Sequence, residues 1–277
     1  MTLAAIKISG KIVAPSSEAW KECANPWLAF FQVTNLIVSG SGEINGQGSS
    51  WWAKYDQLNY ALGFRRCDNL QLSGLTHVDS PKTHISIKSC NNATVSYLTI
   101  RAPEDSPNTD GMDISMSSHV NIHDCNIGTG QNGAYETVEE VHVQNCSFTS
   151  TMYGARIKTY QGGSGYARKI SYEQIALRTT RNPIIIDQFY CNGQHDCQTS
   201  TSAVRVSEVT YNGFHGTSEN EQAITFNCSQ SISCANIVMN QVSITSPVPS
   251  EQVRASCSNV NGTSHATVPQ VPCLKNI

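Results

Sequence analysis

A short alternating pattern recurs along this chain and limits what it can fold into more than any other feature. Polar and apolar residues take turns in Asn35-Leu36-Ile37-Val38, in Asn69-Leu70-Gln71-Leu72, and from His119-Val120-Asn121-Ile122 through Cys125-Asn126-Ile127. The pattern returns in Val141-His142-Val143-Gln144-Asn145-Cys146-Ser147-Phe148, Ile170-Ser171-Tyr172-Glu173-Gln174-Ile175, Val204-Arg205-Val206 and Ile237-Val238-Met239-Asn240-Gln241-Val242, with a weaker copy through Ala93, Val95 and Leu98. A period of two is that of a strand with one face buried. Helical periodicity is hard to find. Successive copies lie roughly 21 to 34 residues apart, within the range of stacked repeats.

A β-sandwich also contains short alternating strands, so the repeat alone does not choose between architectures. Registration favours a solenoid. Cys125 and Cys146 hold the same place in neighbouring copies, as do Cys67 and Cys90, and equivalent residues of a parallel β-helix stack about 4.8 Å apart. The expectation is an all-β chain forming a right-handed parallel β-helix of about eight coils, one domain over residues 1–277. Residues 247–277, rich in Pro, Ser and Asn, read as an irregular capping tail. The start offers no cap, because Ile6-Lys7-Ile8 and Lys11-Ile12-Val13 already read as strands.

Composition removes several alternatives. Only 14% of the 277 residues are charged, against roughly 25% in an average domain, which argues against a coiled coil or charge-rich disorder. With 18 Lys+Arg against 21 Asp+Glu, no general attraction to nucleic acid is expected. No apolar run is long enough to span a membrane. Eleven cysteines, and sequons at Asn92, Asn145, Asn227 and Asn261, point to an oxidising compartment. Yet Met1 to Pro15 lacks the basic start, apolar run and cleavage site of a secretion signal, so a segment upstream is expected to be missing.

The pairs Cys191 with Cys197, Cys228 with Cys234 and Cys257 with Cys273 read as local disulfides. Their spacings are not those of zinc knuckles and no paired histidines accompany them, so no metal is expected. Cys67, Cys90, Cys125 and Cys146 lie in strand-like sequence and read as buried stack members. Eleven is odd, which leaves at least one thiol without a partner.

Three local patterns are able to carry chemistry. Ser106-Pro107-Asn108-Thr109-Asp110-Gly111-Met112-Asp113 is a turn that delivers Asp110 and Asp113 to the start of a strand; ordinary Asx-turn chemistry accounts for it equally. In Gly154-Ala155-Arg156-Ile157-Lys158-Thr159, Arg156 and Lys158 are two apart and share a strand face, where they repel unless an anion lies between them. A solvated strand face is the competing reading. Asn182-Pro183-Ile184-Ile185-Ile186-Asp187-Gln188-Phe189-Tyr190-Cys191 reads as a buried strand with an aromatic end, Tyr190 serving either to stack on a sugar ring or to anchor a loop. His84 is a further candidate for the same face. No nucleophile elbow, phosphate loop or His-Glu-x-x-His is present.

These patterns, in this order and with Ile8-Ser9-Gly10-Lys11-Ile12-Val13-Ala14-Pro15, Gly46-Gln47-Gly48, Trp51-Trp52, Ser80-Pro81 and Ile127-Gly128-Thr129-Gly130, resemble the polygalacturonases of glycoside hydrolase family 28, plant ones especially. The resemblance spans essentially the whole chain. It implies a right-handed parallel β-helix and inverting hydrolysis of α-1,4-linked galacturonic acid in homogalacturonan. One carboxylic acid protonates the leaving oxygen while carboxylate activates water on the opposite face. By motif, Asp110 matches one of three catalytic aspartates, Arg156 and Lys158 match cations that hold substrate carboxylates, and Asn108 and Tyr190 match further substrate contacts. The resemblance also implies a monomer acting on pectin in the cell wall without a cofactor.

The pattern breaks at one place. The family continues from Ile-Gly-Thr-Gly into Asp-Asp-Cys and one coil later supplies Gly-His-Gly. Here Gly130 is followed by Gln131-Asn132-Gly133-Ala134-Tyr135-Glu136, and neither motif occurs elsewhere. The expectation is that about a coil and a half of the middle is missing, with two catalytic carboxylates and a histidine. Glu136, Glu139 and Glu140 lie near the junction, but their spacing does not copy the lost pair. The chain then reads as a polygalacturonase by descent with little activity, the alternatives being an oligogalacturonate-binding protein or a defective truncated product.

Overall fold

The structure, a computed structural model, describes residues 4–20, 27–52, 60–103, 106–107, 109–128, 138–190 and 202–277. Asn108, the Gly130-Gln131 junction, Glu136 and the pair Cys191 and Cys197 lie outside these. Read from sequence as one domain, the chain divides into two compact units, Met1–Gly133 and Ala134–Ile277.

The first unit is a stack of parallel coils. Its main column of strands runs Ala4–Ile8, Leu36–Gly40, Leu70–Ser73, Asn91–Ser96 and Ser117–His123. A second column runs Lys11–Val13, Glu43–Asn45, Thr76–Val78, Thr99–Arg101 and Asn126–Gly128. Leu28–Phe31, Tyr60–Arg65, Thr83–Lys88 and Met112–Ser115 form a separate four-stranded sheet. Each strand is parallel to the one above it, so the period of two becomes a ladder of like residues. Val95 stands opposite Leu72 and Ile122. Leu62 stands opposite Leu28 and Ile85, and the rings of Phe30 and Phe64 stack with centroids 5.5 Å apart. Left-handed residues turn the chain at the corners of each coil, and at one corner Asn35, Asn69, Asn92 and His119 have φ of 59°, 56°, 60° and 54°. Asparagine tolerates that conformation because its short polar side chain bonds locally. Here the bonds run between coils, Asn69 Nδ2 donating to Asn35 Oδ1 at 2.9 Å and Asn92 Nδ2 to Asn69 Oδ1 at 2.8 Å.

The expected stacking of Cys67 on Cys90 is present. The Cys67 amide donates to Cys90 Sγ at 3.2 Å, and the Cys90 amide donates to Ser117 Oγ at 3.1 Å. Cys67, Cys90, Cys125 and Cys146 are all buried. Burial pushes the Cys90 thiol up to about 11, so it behaves as a small apolar group.

The second unit repeats the plan with Val138–Gln144, Tyr166–Thr180, Arg205–Ser218, Cys234–Thr245 and Val260–Val268 as its main column. Its four-stranded sheet is Tyr153–Tyr160, Asn182–Tyr190, Gln222–Asn227 and Arg254–Ser258. Tyr172 and Tyr211 stack at 5.5 Å between coils, and Tyr211 meets Phe214 and Phe226 at 5.8 and 5.9 Å. Disulfides Cys228–Cys234 and Cys257–Cys273 are formed as expected.

Two differences from the sequence reading concern the number of coils and the end of the chain. The main columns contain ten described strands rather than eight coils, and residues 247–277 continue the coil pattern through Arg254–Ser258 and Val260–Val268. In the last main strand Gly262 and Ser264 stand opposite Ile237 and Met239. Small and polar residues there erase the alternation, although parallel pairing continues. A third difference concerns His84. It does not present itself on an outer face but is fully buried, its amide donating to the Asp110 carbonyl at 2.8 Å. The strand begins with Thr83, His84 and Ile85 all buried, before regular alternation sets in.

His77 is equally anomalous. It stands in an isoleucine ladder, opposite Ile44 and Ile100. Both histidines are 0% exposed, and none of their four ring nitrogens has a hydrogen-bond partner among the described residues. Burial lowers His77 to about 4 and holds His84 well below the ordinary value of 6.5. Between pH 6.5 and about 4 the unfolded chain therefore binds more protons than the folded one, so stability is lost as pH falls through that window. For His77 alone the loss reaches roughly 3 kcal/mol by pH 4. His77→Leu should flatten the fall in melting temperature between pH 7 and pH 5. A variant whose melting temperature falls as steeply as the parent's over that range would remove His77 as the cause.

Candidate functional site

In strand Tyr153–Tyr160, Ala155 and Ile157 are 1% and 7% exposed, which turns Arg156 and Lys158 to the outer face. Two adjacent cations would repel, and aromatic rings separate them. The Arg156 guanidinium carbon lies 3.9 Å from the centroid of Tyr153 and 5.5 Å from that of Tyr190, and Lys158 Nζ lies 4.4 Å from the Tyr190 centroid. The negative ring faces offset part of the repulsion. Lys158 Nζ and Arg156 Nε are shielded from solvent.

The next coil fixes Tyr190 in place. Strand Asn182–Tyr190 pairs with Tyr153–Tyr160, Lys158 opposite Asp187 and Tyr160 opposite Tyr190, with an irregularity between them that alters the local direction of the strand. Gln188, 1% exposed, anchors the strand end: its Oε1 accepts the Ser229 amide at 2.8 Å and its Nε2 donates to the Val204 carbonyl. Asp187 Oδ1 accepts the Phe189 amide at 3.0 Å. The sequence named Arg156, Lys158 and Tyr190, and the structure gathers all three. It missed Tyr153, because strict alternation assigns that residue to the inner side with Ala155. At the first position of the strand the ring is only half-buried and swings under Arg156.

Asp110 belongs to the first unit. It precedes strand Met112–Ser115, is half-buried, and is tied by its carbonyl to the His84 amide. Asp113 faces outward on that strand and its Oδ2 accepts the Thr83 hydroxyl at 2.8 Å. The glutamates near the junction have other partners. Glu139 accepts Arg168 Nε and Nη2 at 2.9 and 2.8 Å, which holds its carboxyl below the usual range, and Glu140 pairs with Lys169 at 3.0 Å. Both are bridges between successive coils of the second unit.

The stacked parallel strands define a parallel β-helix protein, and comparison with known proteins gives the family. The model for glycosyl hydrolases family 28 matches residues 2–133 and again 129–268. The chain belongs to that family. A probable polygalacturonase of Arabidopsis thaliana is 45% identical over 306 residues, covering 98% of this chain and 67% of the relative. A polygalacturonase of Chamaecyparis obtusa is 34% identical over 320 residues, covering 98% and 61%. The first alignment is 306 residues long and this chain has 277, so at least 29 positions of that relative have no counterpart here. Among solved structures, a polygalacturonase from Erwinia carotovora ssp. carotovora superposes with a TM-score of 0.73 at 18% identity, over 94% of this chain and 83% of its own. An endo-xylogalacturonan hydrolase from Aspergillus tubingensis gives 0.70 at 18% identity, over 98% and 80%. These structures share the right-handed parallel β-helix.

If Tyr190 separates the two cations, Tyr190→Leu should lower stability by about 1 kcal/mol at low ionic strength, with part of the loss recovered in high salt. Urea unfolding at the two ionic strengths measures both. A loss independent of salt would assign Tyr190 a packing role only.

Proposed function

We propose that this chain is a polygalacturonase-type member of the family that retains a galacturonate-binding face and has little hydrolytic activity. The observation that carries the reading is the pair Arg156 and Lys158, which share the outer face of one strand beside the rings of Tyr153 and Tyr190. Two cations on one face attract an anionic ligand, and the planar guanidinium is suited to bidentate recognition of a sugar carboxylate. The rings of Tyr153 and Tyr190 add apolar surface for a pyranose.

Weak catalysis follows from the carboxylates. Inverting hydrolysis requires a general acid and a general base on opposite faces of the sugar. Asp110 retains the position of one of the family's three catalytic aspartates, while the Asp-Asp-Cys and Gly-His-Gly motifs are absent after Gly130. Glu139 and Glu140 are engaged with Arg168 and Lys169 and do not replace them. The split of the family match at residues 129–133, and the positions of the Arabidopsis relative without counterpart, support a missing internal segment. Acid and base groups each contribute on the order of 10²–10⁴-fold, so losing this set leaves little rate. The two formed disulfides support a secreted lineage acting at the cell wall, and we take the chain to be a monomer.

Purified protein should release no reducing ends from polygalacturonate above a blank. Trigalacturonate should nonetheless raise its melting temperature, an effect that Arg156→Ala with Lys158→Ala abolishes. Release of reducing ends that is lost in Asp110→Asn would overturn the inactive reading. An unchanged melting temperature at saturating trigalacturonate would overturn the binding reading.

A further inference from the structure

The sequons Asn92-Ala93-Thr94, Asn145-Cys146-Ser147, Asn227-Cys228-Ser229 and Asn261-Gly262-Thr263 take no part in the site described above. An oligosaccharide carried by such an asparagine is bulky and hydrophilic, so the fold must leave room for it outside. The coils present the sequons unequally.

Asn92 is an exposed corner residue, and Thr94, between buried Ala93 and Val95, faces outward beside it. Of the corner ladder Asn35, Asn69 and Asn92, it alone has a hydroxyl residue two positions on. Its Nδ2 donates to Asn69 Oδ1 at 2.8 Å. A side-chain amide nitrogen has two hydrogens and a glycan replaces one of them, so the ladder bond is kept. Asn261 is exposed on the last main strand, and its Oδ1 accepts the Asn236 amide at 3.3 Å, a bond that does not use the nitrogen. Thr263 stands opposite the exposed Val238, on the outer face. Asn145 is exposed at another corner, with Ser147 between buried Cys146 and Phe148.

Asn227 is different. Cys228 is 0% exposed and bridged to Cys234, and Ser229 is 6% exposed. The Ser229 amide donates to Gln188 Oε1 at 2.8 Å, and its hydroxyl meets Ser231 Oγ at 2.8 Å. The serine is thus turned inward, while half-buried Asn227 stays on the outer face beyond buried Phe226. The bridge joins cysteines only six residues apart, and so short a loop closes at small entropic cost. Asn227 also stands opposite Asp187, which stands opposite Lys158. With strands about 4.8 Å apart, a glycan there would rise roughly 10 Å from Lys158.

We propose that Asn92 and Asn261 are N-glycosylation sites and that the Cys228–Cys234 bridge keeps Asn227 bare. In the transfer, the asparagine Nδ2 attacks the anomeric carbon of a lipid-diphosphate-linked oligosaccharide. An N–C bond replaces the C–O bond to the diphosphate, the lipid diphosphate leaves, and one Nδ2 proton passes to a base of the transferase. The hydroxyl of the third residue is part of the acceptor. Threonine holds its hydroxyl more stiffly than serine, which ranks Asn92 and Asn261 above Asn145. A bare Asn227 leaves open the face proposed to bind galacturonate, and that consequence alone rests on the proposed function.

The experiment translates the full chain behind a secretion leader, with microsomes under oxidising conditions. Glycans are released enzymatically in heavy-oxygen water, and peptide masses then show each occupied asparagine as labelled aspartate. Asn92 and Asn261 should be occupied in most chains, Asn145 in fewer and Asn227 in almost none. Cys228→Ala with Cys234→Ala should bring Asn227 up to the occupancy of Asn145, a result read on the new chain whether or not it folds. Asn227 occupied as fully as Asn92 in the parent, or Asn92 and Asn261 both bare, would overturn the assignment. Asn227 still bare in the double variant would overturn the bridge as the cause. On secreted protein, trigalacturonate should shift the melting temperature equally before and after the glycans are trimmed. A shift seen only after trimming would overturn the open face. Correctly placed glycans with no shift in either state would overturn the proposed function and leave the two sites standing.

Discussion

Everything in this protein depends on register between parallel coils. A strand in a β-helix has its neighbours fixed by the coil above and the coil below, about 4.8 Å away, whatever their distance in sequence. Inward positions then bury like against like, as Val95 does with Leu72 and Ile122, and the positions between them are forced outward. Ala155 and Ile157 fix the direction of Arg156 and Lys158 in this way, and Leu62 and Phe64 fix that of Arg65. A slip of one residue would exchange the faces and place charges in the core. The left-handed corners oppose such a slip, since Asn35, Asn69 and Asn92 bond to one another from coil to coil.

The same register gives charged residues opposite roles. Arg168 meets a glutamate on the previous coil and becomes part of the scaffold, its guanidinium spent on Glu139. Arg156 meets Ile185 on the next coil and rests against tyrosine rings on the outer face. His77 and His84 are a third case: fully buried, without partners for their ring nitrogens among the described residues, and therefore neutral in the folded state at neutral pH. Desolvation dominates there because no group within the stack replaces water.

Solenoid architecture also explains how chemistry and fold can part company. Each coil contacts only its neighbours, and stability is close to a sum of local terms. Removing an internal stretch takes away whatever chemistry it carried, while the remaining coils keep their own ladders. An enzyme whose acid and base come from different coils is exposed to such a loss. A side chain placed on another strand would be untouched by it.

The parallel β-helix, the cysteine ladder, the Cys228–Cys234 and Cys257–Cys273 bridges, and the outward pair Arg156 and Lys158 were all legible in the sequence. Each follows from alternation or from local spacing, which the chain writes directly. The last coil was not legible, because Gly262 and Ser264 interrupt the apolar pattern while pairing persists. Burial of His84 was equally hidden, since the first residues of a strand need not obey its alternation. Tyr153 beneath Arg156 and Tyr60 across Gly63 depend on where a ring turns at a strand start, which no periodicity records. Alternation determined which residues face outward; only the tertiary stack decided which of them meet, because register brings together side chains that lie whole coils apart in sequence.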